Sequence, residues 1–351
     1  MKPPSAPRDR FAPPRAAGAM ALAALLACAD SPLPERHAPA TVRRFAPAPW
    51  NTVWRRGGAV EDTLLLMPIA VAADSARAYV LDAAGHRVVA FDAATGAPAW
   101  HTAGKGGGPG ELASPVAIAA ARGGVVVADP GNARLTFLDA TGLVTQEVTV
   151  ADVASSRSLC PLADGTLLLA TGEDRPLALI RADGGVERRL PLPWPELADL
   201  PSLARQLRLA PTAGGRACVA ALELGHGFAM VADERVVWRR PYVEAFPLPR
   251  VQVTRSLRTR TQRLAERQIA AYDVAVAGDE ITMAFEGRSR AARRLLDVYS
   301  ASTGAYLRSH ELDFPVNAIA LAAGRAFVLS ERDGYPTLTA YATTTPTAAV
   351  P

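Results

Sequence analysis

The stretch Trp100–Ala119, WHTAGKGGGPGELASPVAIA, repeats the pattern of Trp54–Ala72, WRRGGAVEDTLLLMPIAVA. In each, a Trp precedes a Gly-rich run, an acidic residue follows, and a Pro opens an alternating apolar segment. The two prolines, Pro68 and Pro115, lie 47 residues apart. A period of this size marks stacked supersecondary units that bury their apolar faces only against one another.

Turn signals carry the period along the chain. One kind is Thr-Gly, at Thr95-Gly96, Thr141-Gly142 and Thr303-Gly304, with weaker versions at Asp183-Gly184 and Asp233-Glu234, five in all. A second kind opens each unit, at Asp74-Ser75, Gly123-Gly124, Asp164-Gly165, Gly214-Gly215, Gly278-Asp279 and Gly324-Arg325, six in all. The mismatch is informative. The last unit, Pro315–Ala342, ends after three strands, and an orphan fourth-strand pattern, Thr52–Arg56, precedes the first unit. A closed ring whose N-terminal strand completes the last unit accounts for both facts and removes exposed sheet edges. The expected fold is all-β: a six-bladed β-propeller of four-stranded antiparallel blades over residues 50–344. Runs such as Arg77–Asp82 and Val125–Asp129 suit strands buried on both faces.

Composition agrees. Aromatic residues are 6% and apolar residues 49% of the 351, and 27 Gly and 29 Pro suit many short strands and tight turns. The net charge is +4, but residues 1–27 hold +3 of it. The remainder is near neutral, so charge does not imply a nucleic-acid partner.

Residues 1–15 are basic and Pro-rich, and Ala16–Ala27 is an apolar run of 12 residues, too short to span a bilayer. It ends in Leu25-Leu26-Ala27-Cys28, which resembles the bacterial lipobox. That resemblance implies a signal peptide over 1–27, lipidation of Cys28, and Ala29 as a residue that does not favour inner-membrane retention. The Pro/Ala-rich segment 28–49 reads as a tether, and 345–351 as a disordered tail. The expected address is the periplasmic side of an outer membrane or the cell surface. Cys160 and Cys218 lie in apolar strand patterns; export permits a disulfide, and buried free thiols are the favoured reading.

Gly104–Pro115, followed by Asp129, Asn132 and Arg134, resembles the NHL-type six-bladed propellers, as do Asp82 and Arg87. The match covers the first two blades; the other four rest on spacing. Phe91–Trp100, FDAATGAPAW, is similar to the repeat of quinoprotein-type propellers and of the outer-membrane assembly lipoprotein related to them. Those usually have eight blades, more than residues 50–344 can supply.

Two long connections, Pro191–Leu209 and Pro241–Ile269, are expected side by side on the face of the Gly104–Pro115 loop, where binding usually resides. The second carries Arg255, Arg258, Arg260 and Arg263. Val253, Leu257 and Leu264 suggest an apolar stripe on a short helical insertion. With Arg288, Arg290, Lys105 and Glu111 these arginines form the candidate binding set, suited to carboxylates or phosphates. No catalytic residue is singled out. His86, His101, His226 and His310 are isolated, and Gly104–Gly110 lacks the ending of a phosphate loop. The reading is a monomeric, non-enzymatic binding module for an envelope protein, peptide or glycan, with no cofactor. The alternative is a hydrolase or lyase of the lactonase or amidating-lyase kind. It would need Ca or Zn, with Asn317, Glu111, Asp129 and Asp82 as conceivable ligands.

Overall fold

A computed structural model of the chain describes residues 42–48, 50–59, 64–121, 123–255, 260–265, 268–286 and 291–343. Strand β1 is Trp50–Gly57. Blade 1 follows with β2 (Pro68–Ala73), β3 (Arg77–Asp82), β4 (Arg87–Asp92) and β5 (Pro98–His101). Blade 2 holds β6 (Ala117–Ala121), β7 (Gly124–Asp129), β8 (Arg134–Asp139) and β9 (Val144–Thr149). Blade 3 holds β10 (Ser158–Pro161), β11 (Leu167–Ala170), β12 (Leu177–Ile180) and β13 (Val186–Leu190). Blade 4 holds β14 (Leu207–Pro211), β15 (Ala217–Leu222), β16 (Gly227–Ala232) and β17 (Arg235–Pro241). A two-stranded insertion, β18 (Val251–Arg255) and β19 (Arg260–Leu264), precedes blade 5. Blade 5 holds β20 (Ala271–Ala277), β21 (Glu280–Phe285), β22 (Leu295–Ser300) and β23 (Tyr306–Glu311). Blade 6 holds β24 (Val316–Ala322), β25 (Arg325–Arg332) and β26 (Tyr335–Thr343), completed by β1.

The blades close a ring. The first strands β2, β6, β10, β14, β20 and β24 neighbour one another in that order, and β24 neighbours β2. Closure is made where β1 pairs antiparallel with β26, from Trp50↔Thr343 to Gly57↔Thr337. Second strands such as β3 and β7 are almost wholly buried, as their unbroken apolar runs require. The core lies between blades rather than within them, for example where Tyr79, Leu81 and Val88 of blade 1 meet Val125, Val127 and Leu138 of blade 2.

The Trp and Thr-Gly signals of the sequence are two halves of one contact. Trp54 of blade 6 sits on Gly96 of blade 1, where an added Cβ would lie 2.5 Å from the indole. Trp100 of blade 1 meets Gly142 of blade 2 in the same way, at 2.6 Å. Both glycines have positive φ, +70° and +87°, so the turn and the close approach each require Gly. The indole N–H groups donate to the same turns, Trp54 to Ala93 O at 3.0 Å and Trp100 to Ala140 O at 2.9 Å. Trp238 on Gly304 continues the series, and Val148 takes the place of the indole on Gly184.

Two expectations are corrected. The helical insertion is instead the β18–β19 hairpin, registered from Val251↔Leu264 to Arg255↔Arg260. Val251, Val253 and Thr254 pair with Leu264, Gln262 and Thr261 across it, and β-branched residues lose side-chain freedom in a helix but fit a pleated strand. Cys160 and Cys218 are not free thiols but form a disulfide, with Cα atoms 6.3 Å apart. It links β10 of blade 3 to β15 of blade 4, strands that only the ring brings together. Within segment 28–49, residues 42–48 are described and lie against blade 5. Phe45 bridges in parallel to Ser309, covering the outer edge of blade 5. Arg43 forks onto Asp297 at 3.0 and 2.9 Å, also contacts Glu244, and lies 4.9 Å over the Phe285 ring. Burial opposes its charge, and the Asp297 and Glu244 carboxylates outweigh that cost, so the Arg43 pKa is raised.

Candidate functional site

Each blade has four antiparallel strands, so every fourth strand ends on the side where the next first strand begins. All interblade connections and second-to-third-strand turns therefore open on one face. The Gly-rich loop and both long connections lie there. The two long connections touch, through the turn Ser202–Ala204 and β19.

The Gly-rich loop is clamped from blade 2. Asp129 accepts from the Ala113 and Ser114 amides at 2.9 and 2.8 Å and from Asn132 Nδ2 at 2.7 Å. Arg134 donates to Gly108 O at 2.7 Å and Glu111 O at 2.8 Å. The Glu111 carboxylate turns back to accept from the Gly108 amide at 2.8 Å, in space that a Cβ on Gly106 would fill. Asp82 does the same for blade 1, accepting from Met67 N at 2.8 Å and Leu66 N at 3.2 Å. These motif residues thus hold loops in place. Glu111 is a loop clamp in this geometry, while Lys105 in the same loop is exposed.

The first long connection is packed rather than loose. Trp194 and Leu197 are buried, and Glu196 reaches His226 at 3.3 Å and Arg239 at 3.8 Å. The second carries the hairpin, paired with no other strand among the described residues. Arg255 and Arg260 are cross-strand partners in its backbone register. Arg263 donates to Gln252 Oε1 at 3.2 Å, and Val253 is 44% exposed. Arg258, Arg288 and Arg290 lie outside the described residues, as does Cys28.

Sequence reasoning missed a polar group on the inner wall. Arg208 pairs with Glu223 at 3.0 Å, and Tyr272 donates to Glu286 at 2.6 Å. Arg293 lies 4.7 Å over the Tyr272 ring and contacts Asn317. Asp273 accepts from the Val274 and Ile319 amides, both at 2.9 Å. Burial pushes its carboxyl up to about 6, against the pull of the Arg208 charge and those two amides. The only forewarning in the sequence is a set of charged residues inside or beside first strands. No three His, Cys, Asp or Glu side chains converge as a metal site among the described residues. Asp82, Asp129 and Glu111 are engaged in loop clamps, and Asn317 with Arg293.

A groove of about 400 Å³ lies on the opposite face among turns such as Pro161–Thr166 and Thr212–Gly215. Its shape exceeds its chemistry, since its one charged lining residue, Asp139, is held by Thr141 and Leu143. A smaller cleft of about 330 Å³ opens on the face of the long connections.

Ring, loops and packed connections define a six-bladed propeller with one elaborated face. The chain belongs to the family described as outer membrane protein assembly factor BamB, whose profile matches residues 40–275. No curated protein sequence matches significantly. Among solved structures, a catalytically inactive virginiamycin B lyase from Staphylococcus aureus with quinupristin is 9% identical, covering 79% of this chain and 80% of its own, with TM-score 0.51. The Cps50 (Swd1) β-propeller domain of Myceliophteria thermophila is 12% identical over 84% and 100%, with TM-score 0.50. BamB from Moraxella catarrhalis is 15% identical over 78% and 85%, with TM-score 0.45. At these identities the first two solved structures speak to the fold alone. Among the described residues no helix is long and apolar enough to cross a membrane.

Proposed function

We propose that this chain is an exported bacterial scaffold, anchored through a lipid on Cys28, that binds an envelope protein by the face carrying the two long connections. Membership of the outer-membrane assembly family carries the reading. The disulfide supports an oxidising compartment. The Asp129–Asn132–Arg134 clamp supports the likeness to NHL-type blades. The β18–β19 hairpin has unpaired edges among the described residues, and open edges are templates for strand addition. Its arginines favour an acidic partner segment.

Recovery of partners from solubilised envelope extract tests this. The wild-type chain is expected to retain a partner at low salt. The Arg258→Ala/Arg260→Ala/Arg263→Ala variant should retain it roughly ten-fold less well, since a charge-assisted contact contributes about 1.5–3 kcal/mol and exposed ones less. The difference should narrow as salt rises, because screening weakens exposed charge pairs. Equal recovery at every salt concentration contradicts the proposal.

A further inference from the structure

The smaller cleft lies between blades 2, 3 and 4, on the face of the long connections. Its walls are the short turn Ala151–Ser155, the blade 3 turn at Thr171-Gly172, and the turn Ser202–Ala204. Each wall brings a hydroxyl: Ser155, Thr171 and Ser202. Gln206 and the exposed Arg157 complete the polar lining, and Leu207 and Val116 give an apolar floor.

Three observations single the cleft out. Among the described residues the lining contains no carboxylate. Of the neighbouring acids, Asp152 pairs with Arg189 and Asp174 with Arg205 at 3.7 Å, while Glu173 is exposed beside Gly172. The Arg157 guanidinium has no ion-pair partner among the described residues, and it is the one charged group in the described lining. Ser156 lines the cleft at 3% exposure, and its Oγ has no hydrogen-bond partner. A buried hydroxyl without a partner is costly, and this one has a proton to donate to an acceptor entering the cleft. Finally, Gly172 keeps the cleft open. A Cβ there would meet Ser155 Cβ at 3.4 Å and Ser202 Cβ at 3.5 Å, so a larger side chain would project between those two walls.

We infer that this cleft binds a carboxylate carried on a short apolar body, with Arg157 and the Ser156 hydroxyl on the carboxylate oxygens. The group could come from a free small acid or from a polypeptide C-terminus. The cleft shares the Ser202–Ala204 turn with the face of the scaffold reading, but its test uses small acids and Arg157, Ser156 and Gly172, so the two readings can fail separately.

Calorimetry with the full chain tests it, using hexanoate, acetyl-Ala-Leu as the free acid, and the amide of each. At least one acid should bind, roughly ten-fold or more tighter than its amide, the worth of a charge-assisted hydrogen bond. The acid that binds tighter identifies the source. Arg157→Gln should weaken binding by roughly ten-fold and Ser156→Ala by roughly five-fold. Gly172→Leu should abolish it with an unchanged melting transition. If Gly172→Leu fails to fold, the exposed Arg157→Gln variant decides. Absence of binding by both acids, equal affinity for acid and amide, or full affinity in Arg157→Gln overturns the inference.

Discussion

Trp54→Ala is expected to lower the free energy of unfolding by about 3–5 kcal/mol, the cost of removing a buried large aromatic from a core. Trp54 is 7% exposed and lies in the strand that closes the ring. Its ring packs 5.9 Å from Phe327 of blade 6 and 6.4 Å from Phe91 of blade 1, so it joins the last blade to the first. The substitution also leaves Ala93 O without its indole donor. Because the contact spans the closure, the whole transition should shift rather than a terminal fraction of it. Urea unfolding followed by fluorescence and circular dichroism measures this. A loss below about 1 kcal/mol would show that closure by β1 contributes little.

Replacing both cysteines, as Cys160→Ala/Cys218→Ala, is expected to cost about 2–4 kcal/mol. The two are 58 residues apart in sequence, and the loss of loop-closure entropy in the unfolded chain would place the effect near the upper end, about 4 kcal/mol. Both side chains are wholly buried between blades 3 and 4, so the pair also fixes one blade against the next. The double variant avoids leaving an unpaired thiol. Unfolding curves for the variant and the oxidised wild type check the magnitude. Unchanged stability, with two titratable thiols in the denatured wild-type protein, would refute the bridge.

The ring was legible because its periodic residues touch one another. Trp100 and Thr141-Gly142 recur at a fixed distance because an indole in one blade needs a glycine in the next. The clamp at Asp129 was legible for a similar reason: an Asp at a strand end beside a Gly-rich loop is matched to free amides. The hairpin was misread because Val253 and Leu257 satisfy a helical spacing while Val251 and Val253 satisfy a strand spacing. The β-branched Thr254 and Thr261 were the signal for the strand. The Cys160–Cys218 bond and the docking of Arg43 on Asp297 join residues far apart in sequence, and no local pattern reports such pairs. The carboxylate-free cleft is assembled from three connections of unlike sequence, so its residues carry no motif.

A photo-crosslinking side chain placed in turn at Val253, Ser202 and Leu143 tests the central claim most directly. Val253 and Ser202 lie on the face of the long connections, whereas Leu143, 68% exposed, lies in a blade 2 turn on the opposite face. Irradiation in intact cells should join an envelope protein to the first two positions and none to Leu143. Capture from Leu143 with none from Val253 or Ser202 would place the binding surface on the other side of the ring and contradict the account.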